Sequence, residues 1–344
     1  MTLLEIAAKL NVSPSTVSRA LNPQMAGLIS EPVRRKIQAY AAKTGYVPNK
    51  TAQELVRGRS QTIGVILSTS FNSLFFSDHL AKVQAGIHAV METGTPYACK
   101  WVVLPRGKSL SEADQHVLSS GIDGLLISTI CDFTAYKLQD LAYALEKRWK
   151  HPIVALNLTS NSSSGINTVS FSNRDAAYKA VRHLIQRGHE NIGLIYADNG
   201  SADARERVAG YKKALSDHHV HVNSAWVERG DFSPQSGYQA AIELFNRKNA
   251  GKISALFCIN DEMAIGAIRA LKALRKRCPQ DVAVMGFDGL TAGEYVDPRL
   301  STIAQPSFEI ARAGTQLVLD LIDGKETGPT HRTLPAELMI RDSA

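Results

Sequence analysis

The chain has 344 residues, and its 39 basic and 32 acidic side chains give a net charge of +7. Its four cysteines are scattered and show no C-x-x-C spacing, which argues against a zinc site and a disulfide framework and fits a reducing cytoplasm. No long apolar segment is present, and the N-terminal segment is an amphipathic helix rather than a signal peptide, so the sequence predicts a cytoplasmic protein outside the membrane.

The first 22 residues predict two short helices separated by a polar break. Thr2 and Glu5 fit a capping box at the start of the first helix, and Ser13 followed by Pro14 fits the start of the second. The second helix has an apolar face and an opposite polar face formed by Ser15, Ser18, Arg19 and Asn22, with Thr16 beside it. This pattern is typical of a helix-turn-helix that places one helix in the major groove of DNA, although an ordinary helical hairpin shares it.

Positive charge is concentrated in the same part of the chain. Residues 1–60 hold nine basic and three acidic side chains, so six of the seven net positive charges lie in the first sixth of the chain. A compact basic module is typical of phosphate binding and favours the DNA-binding interpretation.

A third helix and a linker follow. The helix is predicted to begin at Ser30 and to stop near Gly45, with apolar side chains at helical spacing that close a three-helix core. These side chains are Val33, Ile37, Tyr40 and Ala41. Residues 50–60 predict a short helix and a basic linker, and a helix this short is marginal unless something holds it.

From residue 62 onward, short apolar runs alternate with amphipathic helical segments. The runs that predict strands are 62–67, 101–104, 124–127 and 153–156, then 192–196, 255–259 and 282–287. An alternation that occurs twice predicts two doubly wound α/β lobes. Ligands bind at the carboxyl ends of such strands, so a binding cleft is expected between the lobes.

Polar residues follow several of these strands. Asn157, Asn260 and Asp288 come after strands, and Arg207 lies in the segment after strand 192–196. Asp288 and Arg207 are predicted to clamp adjacent hydroxyl groups, and Phe232 to offer an apolar face to a sugar ring. Capping of loops is the alternative, because Asn and Asp are favoured at turns in any case.

Ten segments follow the pattern of one protein family in order and in spacing. They are 12–22 (VSPSTVSRALN), 45–49 (GYVPN), 52–55, 62–65, 188–193, 207–210, 229–232, 260–266 (NDEMAIG), 284–288 (VMGFD) and 300–306 (LSTIAQP). In these segments the chain resembles the lac repressor family of bacterial transcription regulators. The resemblance implies an all-α helix-turn-helix headpiece over residues 1–48 and a hinge helix with linker over 49–60. It implies two doubly wound α/β lobes of periplasmic-binding-protein type over 61–344, which bind the effector and dimerise.

The resemblance also implies which residues touch DNA and effector. Ser15, Thr16 and Arg19 become candidates for reading bases, Ser13 and Ser18 for phosphates, and Leu55 for insertion into the minor groove. The full set for DNA is Ser13, Ser15, Thr16, Ser18, Arg19, Asn22, Tyr46, Asn49, Ala52 and Leu55. The set for the effector is Asn72, Phe75, Asn157, Arg207, Phe232, Asn260, Asp288 and Gln305.

The implied partners are double-stranded DNA with a near-palindromic operator, a small-molecule effector and a second copy of the chain. The absence of a leucine heptad tail favours a homodimer over a tetramer. A neutral or lightly modified sugar is the first expectation for the effector, because Asp288 and Arg207 suit a diol. A nucleobase or sugar phosphate is the alternative, since Ser307 stands where several relatives have an aromatic residue. No cofactor or metal is implied.

Two other classes of protein compete with this interpretation. A solute-binding protein would have two such lobes, but it predicts a signal peptide and no basic headpiece. An α/β enzyme is disfavoured because the sequence has no G-x-S-x-G, P-loop, G-x-G-x-x-G or H-E-x-x-H motif. The sequence therefore predicts a non-enzymatic repressor whose operator affinity is controlled by a small molecule.

Overall fold

The structure, a computed structural model, describes residues 1–47, 59–66, 74–104, 109–128, 138–158, 165–198, 200–247 and 252–344. The chain divides into two compact units, Met1–Gln61 and Thr62–Ala344, which are named here the headpiece and the body. Most of the predicted hinge segment, 49–60, lies outside the described residues.

The headpiece contains three helices: α1 (Leu3–Leu10), α2 (Pro14–Ala20) and α3 (Glu31–Lys43), with a 3-10 turn at Pro23–Leu28. The predicted caps are confirmed: Thr2 and Glu5 form a reciprocal capping box, and the Ser13 hydroxyl accepts the Thr16 N–H at 3.1 Å. The core is small and comes from all three helices: Ile6, Ala7, Val17, Ala20, Ile37 and Ala41. The helix pair and third helix predicted from the sequence are therefore present.

The body contains twelve strands in the described residues. They are β1 (Thr62–Ile66), β2 (Ala98–Trp101), β3 (Gly124–Ser128), β4 (Ile153–Leu156), β5 (Asn167–Ser170), β6 (Ile192–Tyr196), β7 (Val227–Arg229), β8 (Ala255–Cys258), β9 (Ala283–Met285), β10 (Thr302–Ala304), β11 (His331–Thr333) and β12 (Glu337–Met339).

Helices cover both faces of the sheets. They are α4 (Leu74–Met91), α5 (Leu110–Leu118), α6 (Leu138–Arg148), α7 (Asn173–Gln186), α8 (Ala202–Asp217), α9 (Pro234–Asn246), α10 (Asp261–Ala273) and α11 (Ser307–Ile322).

Two parallel sheets define two lobes, as the alternation of strands and helices predicts. The N-lobe sheet has the order β2-β1-β3-β4-β5-β11, and the C-lobe sheet has the order β7-β6-β8-β9. A separate antiparallel pair, β10 with β12, lies in the C-lobe and is joined to the end of β9 by single bridges. Strands β1, β3, β4, β6, β8 and β9 carry unbroken buried apolar runs, as parallel strands covered on both faces require.

The chain passes between the lobes at three places in the described residues. It leaves β5 for α7, leaves β10 for α11, and runs from β11 to β12; α7 packs on α8 and β8 of the C-lobe, whereas α11 packs on α4, β3 and β4 of the N-lobe. Phe171, Asn173 and Gln305 lie at the first two of these crossings. They therefore lie where the chain passes from one lobe to the other.

One strand prediction is wrong. Residues 101–104 were expected to form a strand, but β2 ends at Trp101 and the segment that follows is buried at Val102 and Leu104 without continuing the strand. The reason is that β2 is an edge strand, mostly exposed and paired only with β1, so it needs no apolar run. The apolar run instead marks the segment that covers the neighbouring core.

Candidate functional site

Arg207 is the centre of a buried hydrogen-bond network at the lobe junction. It lies on α8 with 8% of its surface exposed. Its Nε donates to Asn173 Oδ1 at 2.9 Å, and its Nη1 donates to the Ile259 carbonyl at 2.7 Å and to Asp288 Oδ1 at 2.9 Å. The guanidinium carbon also lies 3.9 Å from the centre of the Phe287 ring, a cation–π contact. These contacts hold the guanidinium in one position.

Asp288 follows β9 in an unusual backbone conformation, with φ of 134°. Such a conformation is costly for a non-glycine residue and persists only where its surroundings hold it. Here its N–H donates to the Ile303 carbonyl at 2.8 Å, and Gln305 Nε2 donates to its Oδ1 at 2.7 Å. Burial raises the pKa of Asp288 to about 7, the Arg207 charge opposes that rise, and the Asp261 charge adds to it. The charge on this carboxyl group therefore depends on what lies beside it.

Asp261 is a second buried carboxyl group, at the first residue of α10. It accepts the Leu290 N–H at 2.7 Å on Oδ2 and the Thr302 hydroxyl at 2.6 Å on Oδ1. Burial raises its pKa to about 6, against the lowering effect of these two hydrogen bonds. Asp261 thus anchors the loop that follows Asp288 to the C-lobe.

Among the buried side-chain atoms without a hydrogen-bond partner in the described residues are two amide oxygens, Asn157 Oδ1 and Gln305 Oε1. Asn157 ends β4 in the left-handed conformation, with φ of 63°, and is 5% exposed; Gln305 is 6% exposed. An unpaired buried acceptor costs about 1–3 kcal/mol, so native proteins seldom leave one unless another group binds there. Both residues were predicted to contact the effector.

Asn260 and Phe232 have a different arrangement. The Asn260 side chain accepts the Met263 N–H at 3.1 Å and donates to the Phe232 carbonyl at 2.8 Å. It therefore caps α10, the alternative that its sequence position left open. Phe232 has φ of 73° and is half-buried against the C-lobe core. The described contacts connect Asn260 and Phe232 with each other but not with Arg207.

Sequence reasoning missed two members of this network. Asn173 accepts from Arg207 and donates to Asp203 Oδ1 at 3.1 Å, and the Phe171 ring lies 6.3 Å from that of Phe287. Both lie at the first crossing between the lobes, which no local sequence pattern reveals. Arg205, two residues before Arg207, is exposed and bonds to the Gly200 carbonyl instead.

The headpiece presents the polar face predicted for α2. Ser13, Ser15, Ser18 and Arg19 are exposed, Thr16 and Asn22 are half-buried, and Tyr46 is half-buried against the headpiece core. The Ser13 hydroxyl lies 2.7 Å from that of Ser15 and 2.8 Å from that of Thr16. The start of α2 therefore carries a connected row of hydroxyl groups at its surface.

The other predicted contact residues lie outside the described residues: Asn49, Ala52, Leu55 and Asn72, together with the side chain of Phe75. Every described helix is too short or too polar to cross a membrane.

Headpiece and body define a class of protein: a helix-turn-helix unit joined in one chain to a two-lobed body with a polar lobe junction. Two family models match the chain. Residues 2–49 match "Bacterial regulatory proteins, lacI family", and residues 181–344 match "Periplasmic binding protein-like domain".

Known proteins match over the full length. The chain is 32% identical to the probable HTH-type transcriptional repressor ExuR of Bacillus subtilis, over 100% of this chain and 98% of that protein. Among solved structures, it is similar to the transcriptional regulator CelR in complex with cellobiose (TM-score 0.72, 26% identity, 100% of both chains). It is also similar to the lac repressor dimer bound to operator and the anti-inducer ONPF (TM-score 0.78, 27% identity, 100% and 98%). The chain belongs to the lac repressor family of bacterial transcription regulators.

Proposed function

We propose that this chain represses transcription as a homodimer on a near-palindromic operator, and that a sugar-like effector between the lobes controls its affinity for DNA. In this proposal residues 1–48 bind DNA, residues 49–60 form the hinge and linker, and residues 61–344 bind the effector and dimerise. In this proposal the chain catalyses no reaction and acts in the cytoplasm.

The observation that carries the effector proposal is the pair of unpaired buried acceptors, Asn157 Oδ1 and Gln305 Oε1. A ligand that satisfies them must donate hydrogen bonds, as hydroxyl groups do. Gln305 also donates to Asp288, so one of the two acceptors lies beside a carboxylate, which accepts hydrogen bonds from hydroxyl groups. An acceptor beside a carboxylate matches the hydroxyl groups of a polyol better than it matches an anion, which the carboxylate would repel.

The relatives support a sugar. CelR, which is similar to this chain over its full length, was solved with cellobiose. A ring with several hydroxyl groups offers donors to acceptors such as Asn157 Oδ1 and Gln305 Oε1, while Arg207 stays fixed by its bonds within the protein. A sugar phosphate is the alternative ligand.

The DNA proposal rests on the surface of α2 and on charge. Ser15, Ser18 and Arg19 are exposed on one face, where hydroxyl and guanidinium groups can reach bases and phosphates. Six of the seven net positive charges lie within residues 1–60. The predicted insertion of Leu55 into the minor groove would add a bend to the operator.

Coupling between the two sites follows from the crossings. Asn173 and Gln305, at two crossings, bond to Arg207 and Asp288, so an effector at this junction changes the relative position of the lobes. In a dimer that change alters the spacing of the paired linkers and hence the affinity of the dimer for DNA. A coupling free energy of about 1–3 kcal/mol changes DNA affinity five- to 150-fold.

The test combines ligand and DNA binding by the full chain. Thermal unfolding is measured against a panel of neutral sugars beginning with cellobiose, and a duplex selected from a random library by the wild-type chain serves as operator. We expect at least one sugar to raise the midpoint of unfolding and to change affinity for the selected duplex. Asp288→Asn should abolish both effects.

Asp281→Asn is the matched control, because Asp281 is a surface carboxylate of the same lobe paired with Arg277. It should respond to the sugar as wild type does. A sugar effect that survives Asp288→Asn would place the effector elsewhere, and a response to sugar phosphates alone would select the alternative ligand.

A further inference from the structure

A set of polar contacts joins α4 of the N-lobe to the loop after Asp288. Lys82 Nζ donates to the Gly289 carbonyl at 2.9 Å, and Asp78 Oδ1 accepts the Thr291 hydroxyl at 2.7 Å. Lys82 and Asp78 also pair with each other at 2.5 Å. These contacts connect residues more than 200 positions apart in sequence and lie beside the carboxyl group that the proposed effector contacts.

The loop is fixed to the C-lobe on its other side. Asp261 accepts the Leu290 N–H, and the Gly289 N–H donates to the Thr302 hydroxyl at 3.3 Å. Asp288, with φ of 134°, is held by its bonds to Ile303 and Gln305, and Gly289 lies so close to Ala304 that a Cβ atom would be 2.6 Å from the Ala304 Cα. A displacement of this loop would therefore also displace Asp288 and the part of the C-lobe that is bonded to it.

Helix α4 is fixed to the N-lobe equally firmly. At Gly86 it approaches α11 so closely that a Cβ atom would overlap the Phe308 carbonyl and lie 2.9 Å from the Ala311 Cβ. His79, next to Asp78, bonds through Nδ1 to the Ser307 hydroxyl at 3.0 Å, at the first residue of α11. Asp78 and Lys82 are thus fixed to the N-lobe, whereas residues 289–291 are fixed to the C-lobe.

We propose that Asp78 and Lys82 form a clasp with residues 289–291 that holds the two lobes together. The bonded atoms are half-buried, with 19% of the Asp78 and 33% of the Lys82 side chain exposed. Although burial raises the pKa of Asp78, hydrogen bonds from Lys82 and Thr291 bring it below its usual value, so the carboxylate is charged at neutral pH. Asp78 and Lys82 are positioning residues for Asp288, a consequence that rests on the proposed function.

The test measures the distance between the lobes directly. Spin labels on genetically encoded amino acids replace Gln115 on α5 and Lys212 on α8, two exposed positions in the N- and C-lobe. Labelled chains are mixed with excess unlabelled chain, so that every measured pair lies within one chain. The distance distribution is recorded by pulsed electron resonance for the full chain without any sugar.

Lys82→Met keeps the apolar stem of the side chain and removes the donor to Gly289. Thr291→Val keeps the shape of the side chain and removes the hydroxyl donor to Asp78, leaving only the longer bond from the backbone N–H at 3.5 Å. Both should broaden the distribution toward longer distances and raise the open population about tenfold, as the loss of one charged hydrogen bond allows. Lys213→Met is the matched control, since it breaks a lysine–aspartate pair of the same spacing on α8 within the C-lobe.

An unchanged distribution in both variants overturns the clasp, as does an equal shift in Lys213→Met. Should Lys82→Met fail to fold, Thr291→Val decides. The distance measurement contains no ligand, so its result stays valid even if no sugar proves to be the effector. Conversely, a negative result for the clasp does not affect the test of the sugar proposal.

Discussion

At the scale of single residues, Arg207 and Asp288 form a buried ion pair at the lobe junction. Each charge is buried, which is expensive unless hydrogen bonds compensate it. Arg207 receives compensation from Asn173, the Ile259 carbonyl and Asp288, and stacks on Phe287. Among the described side chains, only Arg207 and Gln305 donate hydrogen bonds to Asp288. The charged form of Asp288 is therefore less well stabilised than that of Arg207.

The raised pKa of Asp288 predicts that the stability of the folded chain depends on pH. Burial raises the pKa of Asp288 to about 7 in the folded state, above the value near 3.8 expected when the chain unfolds. Between these values the folded state binds a proton that the unfolded state has lost, so the contribution of Asp288 to stability is greatest at low pH and falls as pH rises to about 7. Asp288→Asn removes this titration and should reduce the fall by up to about 4 kcal/mol.

Urea unfolding followed by tryptophan fluorescence measures the effect. All three tryptophans, Trp101, Trp149 and Trp226, belong to the body, so the signal reports the unit that holds Asp288. Asp281→Asn serves as control, because Arg277 holds the pKa of Asp281 at about 2, well below the measured range. A profile for Asp288→Asn as steep as that of wild type would contradict the prediction.

The sequence predicted that polar residues gather at this junction, because polar residues that follow buried strands are visible in sequence. It predicts that Arg207 and Asp288 clamp hydroxyl groups, and in the structure they bond to each other at 2.9 Å. Asn173 was missed because its position depends on where the chain crosses between the lobes. Asn260, predicted to contact the effector, also caps α10.

At the scale of elements, pairs of helices pack through close backbone approach. In α10, a Cβ atom at Gly266 would overlap the Pro234 carbonyl of α9 and lie 2.7 Å from the Tyr238 nitrogen. Backbone cannot swing aside as a flexible side chain does. Gly266→Ala therefore has to push the two helices apart.

We expect Gly266→Ala to lower the free energy of unfolding by roughly 2 kcal/mol, as overpacking of a close interface does. The gain in helix propensity from alanine, about 1 kcal/mol, offsets only part of the cost. Urea unfolding of the body gives the measurement. Lys272→Ala, at an exposed position of the same helix, should stay close to wild type; a Gly266→Ala variant as stable as this control would show that the helices separate freely.

Elements differ in how well the sequence predicts them. Strands β4 and β6 were predicted at their observed bounds, β3 within one residue and β1 over all of its described residues, because each is an apolar run buried on both faces. Strands β5, β7, β10, β11 and β12 were not predicted. They are short and partly polar, and they pair with segments distant in the chain, such as Thr168 with His331. These strands therefore form because of tertiary contacts rather than local sequence pattern.

At the scale of the whole molecule, composition changes along the chain in step with structure. The headpiece is a small helical unit with its own core, and the body holds the two parallel sheets. The strand–helix alternation predicted two lobes. It did not predict the three crossings, because periodicity records which elements form and not which sheet each one joins. Those crossings bring Asn173 and Gln305 to Arg207 and Asp288.

The division of charge leads to a prediction for DNA binding by the full chain. With six of seven net positive charges in residues 1–60, binding to the selected duplex should release counterions. Affinity should then fall roughly a thousandfold between about 50 and 200 mM salt. Arg19→Gln removes one exposed positive charge from α2 and should lessen the slope of log affinity against log salt by about one for each headpiece.

Fluorescence anisotropy of a labelled duplex across a salt series measures the slope. Lys213→Met removes the same charge from α8 of the body and should leave the slope unchanged, because a body lysine has no part in phosphate binding. Equal slopes for Arg19→Gln and Lys213→Met would mean that the headpiece charge does not face DNA. A decrease of about two for the homodimer would instead count two headpieces on one operator, since each contributes its own arginine.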